Sequence, residues 1–500
     1  MLAAHFASDA DDGVAGLGAV ATWAQKVAQG WSLNPGRYPS TLATDQDDGD
    51  VTERFEKGFT MFEAGVSRGV ITPSIGSSMA GFSHRWTSKG VHDDLSAQAL
   101  VLAGASGSIE LVWICCDLLS VPGFIVDKIR TRVGAAWAIR PERVLVSAAH
   151  NHYASPVDDS GEALAVVVDE RTSSYADHFV NVVVGLVGKA IRSSEPCRIR
   201  FGTGTTAIGV NRRERRDGEI VLGQNPDGPI DRALRVLRID GMQGAPLAVV
   251  VHAACHVVSL GAEFDDFTAD FPGVMRDTVQ RMTGAETFFV QGCAGDVNPI
   301  CMGAAWSNPA RLGLMLAADV LGVYDDEHLQ ELDGVEIRAI RRDIDLAPWL
   351  PPSEAQAWDE IRSIESAAEK AGTGDGVDRF WDQWRLRKLS RAIGALRRPD
   401  EAVAVRCSLT GLSLGSELAI VTAPGEVFSE LGLHVQARSP FPATIVAGYT
   451  NGSIDYIPTA TAFREGGYEV SHGCRIAAGE GERVASELSR ILEDLVRGEL

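Results

Sequence analysis

The chain has 500 residues, 45% of them hydrophobic, enough for a large core and for two or three domains or one large domain with insertions. Lys plus Arg number 46 and Asp plus Glu 67, a formal charge of −21, which argues against nucleic acid or an anionic membrane surface as partner. No run of about 18 apolar residues occurs, so no membrane span is expected.

Residues 1–55 read as an N-terminal extension. "SDADDGVAG" and "TDQDDGD" are acidic and turn-rich and flank a short helical candidate over 19–29. Such a segment suits an arm packed on a neighbouring subunit, giving a homo-oligomer, or equally a disordered tail. It lacks the basic and apolar regions of a secretory signal. The eight cysteines, at 115, 116, 197, 255, 293, 301, 407 and 474, form no CxxC pair. Several sit in apolar runs, as reduced, buried thiols do, which points to a cytoplasmic setting.

Residues 60–345 alternate between β-rich and helical stretches. "QALVLAGASGSIELVWICCDLL" predicts two strands joined by a turn at 104–107. "GFIVDKIRTRVGAAW" predicts an amphipathic helix, "ERVLVSAAH" a strand, and "SYADHFVNVVVGLVGKAIRSS" a helix with apolar residues at helical spacing. "LAVVVHAACHVVSL" and "ETFFVQGCAGDV" predict strands apolar on both faces, as in a sheet covered by helices on both sides. "NPARLGLMLAADVLGVY" is a further helix. Residues 346–400, with two helical halves around "GTGDG" and with Trp358, Trp381 and Trp384, predict a helical insert. Its tryptophans suit an apolar lid or simple packing on the body. Strands resume from 402, and a final amphipathic helix is expected over 481–496. The fold class is α/β: a mixed β-sheet flanked by helices, in a domain spanning 56–500.

Four segments place polar groups where apolar strands stop. They are "VLVSAAHNHYASP" with His150 and His152, "HAACHVVSLG" with His252 and His256, "TAPGEVFSELG" with Glu426, and "GYTNGSIDYIPTATAFREGGYE". Strand ends in α/β sheets aim side chains into ligand crevices. Imidazoles and a carboxylate are what a catalytic zinc takes, and such an ion supplies a nucleophile near neutral pH. On spacing alone, His-X-His suits a hydrogen-bonded pair as well as a metal site. His84 and His434 read as exposed, His92 as paired with Asp93 or Asp94. His252 reads as structural or as supporting the site. Asp270 and Asp296 read as site-lining groups or as caps in turns.

In order, "GVSRGVITPSIGSSMAGF", "GVHDDLSAQALVLA", "VLVSAAHNHYASP", "VNRRERRDGEIVLGQNPDGPID", "ACHVVSLG", "TADFPG", "GCAGDVNP", "TAPGEVF" and "NGSIDYIPTATAFREGGYE" resemble the motifs of the neutral/alkaline, non-lysosomal ceramidases, over roughly residues 63–475. The resemblance implies a zinc ion on His150, His256, Glu426 and Tyr456, with His152 beside the metal as a proton carrier. It places Arg212 near the substrate headgroup, Asp117 close to the active site, and Tyr449 and Tyr468 around the Tyr456 loop. Two departures stand out. The family's "GDVSPN" carries a catalytic Ser, where this chain reads "GDVNPI" with Asn298. An amide is no nucleophile, but it donates a hydrogen bond to a developing oxyanion. The family's C-terminal immunoglobulin-like domain also has no counterpart in the sequence. The expected activity is zinc-dependent cleavage of an amide in a small-molecule acyl substrate by activated water, with catalysis by His152, Asn298 and Tyr456 and substrate contacts from Arg212, Asp117 and Tyr449. The alternatives are an ester or lactone hydrolase on the same metal, or a metal-bearing protein that binds an acyl compound without turnover.

Overall fold

A computed structural model describes residues 62–82, 87–104, 107–158, 170–332, 336–371, 376–398 and 403–498. The extension at 1–55, with its helical candidate, and His84 lie outside the described residues. So does the side chain of Trp381.

Two sheets carry the architecture. The larger has nine strands. Its main path runs Glu286–Gln291, Pro246–Ala253, Ala233–Gly241, Glu195–Thr205, Phe62–Val70, Ser96–Ala103, Ile109–Cys116, Val144–Ala148, and Gln330–Glu331 also pairs with Glu195–Thr205. The smaller runs Ile337–Leu346, Val405–Leu414, Leu418–Thr422, Ala443–Ala447. Most neighbours are antiparallel. The parallel pairs of these two sheets are Ile109–Cys116 with Val144–Ala148, Pro246–Ala253 with Glu286–Gln291, and Leu418–Thr422 with Ala443–Ala447. Both sheets are mixed, and the class is α/β.

The side-chain alternation of the strands builds the layers. On Ser96–Ala103, Ala97, Ala99 and Val101 face a core shared with helices Gly123–Trp137 and Glu170–Arg192, through Ile125, Ile129, Phe179 and Val183. The intervening Leu100 and Leu102 point the other way. There they join Trp113, Val250 and Phe288 against Leu412, Leu414, Ile420 and Ile445 of the smaller sheet. The smaller sheet's outer residues, Leu409, Ala419, Val421 and Val446, pack on helices Ser429–Ala437 and Glu480–Arg497. Helices Asp270–Thr283 and Ser307–Tyr324 cover the far part of the nine-stranded sheet. The order is helices, sheet, sheet, helices. Strands apolar on both faces require two covers but do not specify them. Here one cover of the large sheet is a second sheet, where helices on both sides were expected.

Local signals set the element ends. The final helix buries Val484, Leu488, Ile491, Leu492 and Leu495, three or four residues apart, and stops at Gly498, whose φ of 72° suits a residue without Cβ. The strand predicted over 247–260 ends earlier, at Ala253, and its continuation becomes a loop. Helices Glu354–Ala371 and Gly376–Arg397 lie between the paired strands Ile337–Leu346 and Val405–Leu414 and share a small core of Ala357, Ile361, Leu389 and Ile393. No described helix is long and apolar enough to cross a membrane.

Candidate metal centre and surrounding cavity

Parallel strands deliver the site from their C-terminal ends. Val144–Ala148 leads to His150, Pro246–Ala253 to His256, Leu418–Thr422 to Glu426 and Ala443–Ala447 to Tyr449. Backbone hydrogen bonds stitch these segments together: Ala148 N to Tyr449 O, His152 N to Val257 O, Tyr449 N to Gly425 O and Glu426 N to Asp455 O. Glu426 and Tyr456 are register partners in a short parallel pair. His150, Tyr449, Asn451 and Asp455 all adopt positive φ, from 52° to 68°, which places four backbone-strained non-glycine residues in these loops.

The imidazoles of His150, His152 and His256 converge, with one ring nitrogen of each within 4.8 Å of the others. His150 Nε2 lies 3.1 Å from His256 Nε2, 3.3 Å from His152 Nε2 and 3.3 Å from Glu426 Oε2, and His256 Nε2 lies 3.2 Å from that carboxylate oxygen. The opposite nitrogens fix the tautomers. His150 Nδ1 donates to Leu119 O at 3.0 Å, His152 Nδ1 to Gly81 O at 2.9 Å, and His256 Nδ1 to Ala294 O at 2.7 Å. A carbonyl only accepts, so each Nδ1 carries its ring's proton and each Nε2 presents a lone pair to the cluster. Gly81, at φ 96°, permits the His152 contact, because a Cβ there would come within 2.8 Å of the His152 Cα.

Electrostatics reinforce this picture. Burial, aided by the neighbouring imidazoles, pushes His152 well below its ordinary value. Burial and the Arg212 charge bring His256 down to about 4. Glu426 Oε2 and the Tyr449 hydroxyl are buried without a hydrogen-bond partner of acceptable geometry. Lone pairs that face one another, next to an orphaned carboxylate oxygen, make a donor set for a cation. The three histidines could hold a metal ion, and Glu426 adds a carboxylate.

Arg212, 4% exposed, organises the neighbouring wall. Its Nε donates to Glu469 Oε1 at 2.8 Å, its Nη2 to the Tyr456 hydroxyl at 2.8 Å, and its Nη1 to Asn298 Oδ1 at 3.2 Å and toward His256 Nε2 at 3.1 Å. The Tyr456 hydroxyl thus accepts from Arg212 and keeps its own proton to give. Asn298 keeps its amide N–H groups to give. Tyr449 packs its ring 4.3 Å from that of His150.

Asp117 is placed elsewhere. It is fully buried, with Oδ1 on Arg276 Nη1 at 2.5 Å and Oδ2 on Arg276 Nη2 at 2.7 Å and on the backbone and hydroxyl of Ser96. Both oxygens are occupied and none faces the cavity, so the geometry does not give it the substrate contact expected of it. His252, on the strand, contacts Val446 O and Arg235 and stays outside the cluster, while His256 lies past the strand's end. Asp296 accepts from Ser429 N and Oγ at the start of a helix, and Asp270 from Ser259 and Phe271 N. His92 pairs with Asp93 at 2.7 Å. His434 is exposed.

A cavity of about 980 Å³ opens onto His150, Glu426 and Tyr449. Its lining also includes Trp349, Trp384 and Lys388. The sequence reading offered Trp384 as part of an apolar lid, but it missed Trp349 and Lys388, and it missed Glu469, the anchor of Arg212. Glu469 lies in the quoted "GGYE" segment, but its partner is 257 residues away and nothing local announces the pairing.

Comparison with models of known families and with curated proteins finds no match. Among solved structures the chain is similar to neutral ceramidase from Pseudomonas aeruginosa, with TM-score 0.67 and 17% identity over 87% of this chain and 74% of that one. It is also similar to a ceramidase complexed with C2, with TM-score 0.68 and 17% identity over 88% of this chain and 76% of the other. The layered sheets with a donor cluster at their strand ends thus belong to a neutral ceramidase-like fold.

Proposed function

We propose that the chain is a zinc-dependent hydrolase that cleaves the amide bond of an N-acyl compound with water. The observation that carries this reading is the convergence of the three Nε2 atoms beside the unpartnered Glu426 Oε2, with every Nδ1 proton committed to a carbonyl. His150, His256 and Glu426 would hold the ion, and Tyr456 is the fourth donor expected from the family resemblance. A zinc ion there supplies Lewis acidity and a nucleophile at neutral pH.

The remaining roles follow from the chain's own atoms. His152, kept neutral by burial, presents an Nε2 lone pair that can take a proton and pass it to the departing amine. The Tyr456 hydroxyl and the Asn298 amide, both oriented by Arg212, donate toward an oxygen that gains negative charge. Arg212 is a positioning residue, with Glu469 holding it in place. Asn298 also supports a second reading, an ester or lactone hydrolase. No side-chain nucleophile stands at that position, and an alcohol leaving group needs less protonation than an amine.

Metal analysis of the purified chain together with a panel of N-acyl amides, ceramide, esters and lactones tests the proposal. The expected result is about one zinc per chain, amide turnover, and loss of both metal and turnover in His150→Ala. A chain without zinc, or an unchanged His150→Ala variant, overturns it. Turnover confined to esters or lactones selects the second reading. Bound zinc with no turnover of any substrate leaves a binding protein.

A further inference from the structure

The cavity that His150 and Glu426 line carries more basic than acidic residues, against the balance of the chain as a whole. Seven Arg or Lys and four Asp or Glu line the cavity, in a protein whose formal charge is −21. A cleft with an excess of one sign of charge favours ligands of the other.

Lys388 is the focus. It is 6% exposed. Its Nζ lies 4.3 Å from the centroid of Trp349 and 5.3 Å from that of Trp384, and its one hydrogen bond, to Ser471 O, is long at 3.4 Å. Among the described residues no carboxylate pairs with it within 4 Å. Arg385 binds the same Ser471 carbonyl and is itself paired with Glu360, while the acidic neighbours of Lys388, Asp455 and Glu360, act on it from beyond ion-pair distance. Burial, with Arg385, brings the Lys388 ammonium down to about 8. A buried ammonium with no carboxylate in direct contact is costly, and indole faces and the more distant Asp455 and Glu360 offset only part of that cost. Arg391 lines the same cavity, also with no carboxylate partner among the described residues, and Arg475 is held only loosely, 3.9 Å from Asp455.

We propose that the substrate is an acyl compound carrying an anionic oxygen group, a carboxylate or a chemically equivalent sulfate or phosphate, which seats on Lys388 with Arg391 and Arg475. The acyl carbons run along Trp349 and Trp384, and the bond to be cleaved lies at the His150 and Glu426 end. The volume of about 980 Å³ suits one such molecule. The proposal rests on the hydrolase reading above for the reaction, but the anion site itself does not depend on it.

The test has a binding arm and a turnover arm, both on the full chain. Tryptophan fluorescence follows titration with decanoate, decyl sulfate and uncharged 1-decanol. Binding at least tenfold tighter for decanoate or decyl sulfate than for decanol is expected, and the tighter of the two names the head group. Lys388→Met loses that preference and Lys388→Arg keeps it. Equal binding of decanol, or a preference that survives Lys388→Met, overturns the proposal. Should Lys388→Met fail to fold, Arg391→Ala carries the same comparison, with a loss of about threefold expected. In the turnover arm, kcat/KM for N-decanoylglycine exceeds that for N-decanoylglycinamide tenfold or more, and the ratio collapses toward one in Lys388→Met. Anion-selective binding without turnover of either amide keeps the site and removes the hydrolase. Turnover of both amides at equal rates keeps the hydrolase and removes the site.

Discussion

Two buried arginine–carboxylate pairs lie near the site, and they are built for different ends. Asp117 and Arg276 close on each other: both guanidinium Nη atoms go to the carboxylate, and Ser96 takes what acceptor capacity is left on Oδ2. Glu469 and Arg212 form an open pair. Glu469 shares its oxygens between Arg212 and Arg213, which leaves Arg212's Nη1 and Nη2 for Asn298, Tyr456 and His256. A closed pair has nothing left to offer a ligand and acts on stability. An open pair keeps donors for other groups and, on the proposed hydrolase reading, acts on rate.

The largest expected effect breaks the closed pair. Arg276→Met leaves Asp117 charged, buried and uncompensated, which costs about 3–5 kcal/mol of stability. Chemical denaturation reads this as a lower midpoint at unchanged slope. Asp117→Asn in the same chain recovers part of the loss, because the stranded charge is gone. Specific activity of the folded fraction stays within about threefold of the parent. A Arg276→Met chain that is as stable as the parent but catalytically dead would place Asp117 at the reaction and erase the distinction.

The open pair is tested by Arg212→Lys. A lysine keeps the charge but cannot hold Glu469, Tyr456 and Asn298 at once, since the planar fork is lost. We expect kcat to fall about 10²–10³-fold, the size of effect seen when one oriented oxyanion donor is removed, with KM moving much less. Zinc content, measured in parallel, stays at the parent level, which separates a positioning role from a part in metal retention.

The legible and illegible parts of the molecule divide along the same physical line. Apolar strand runs and helix periodicity gave the elements, and the rule that strand ends line crevices brought His150, His256 and Glu426 together as candidates. Those signals are local. The second sheet was not legible as the cover of the first, because Leu100 and Ala99 demand burial without naming what buries them. The division between Asp117 and Arg212 was not legible either. Each depends on a partner 159 or 257 residues distant. Tyr456 was read as a metal donor by resemblance, and only the coordinates show its hydroxyl resting on Arg212. Lys388 drew no notice, since a lysine in a helix is ordinarily solvated, and its burial against Trp349 depends on how the hairpin folds back.

The smallest effect sharpens the open side of the comparison. Asn298→Ala removes one amide donor but leaves Arg212 on Glu469 and Tyr456. Asn298 is partly exposed, so water can replace some of what its N–H supplied, and Tyr456 still donates. The expected loss is about tenfold in kcat, near 1.4 kcal/mol in barrier height. Asn298→Asp discriminates further. A carboxylate beside Arg212 accepts its N–H groups well but has no proton for the substrate oxygen at neutral pH, so it falls at least as far as alanine if Asn298 acts as a donor. Were Asn298 only a rest for Arg212, the aspartate would hold the guanidinium more firmly and retain full activity, and pre-steady-state rates on an amide substrate distinguish the two.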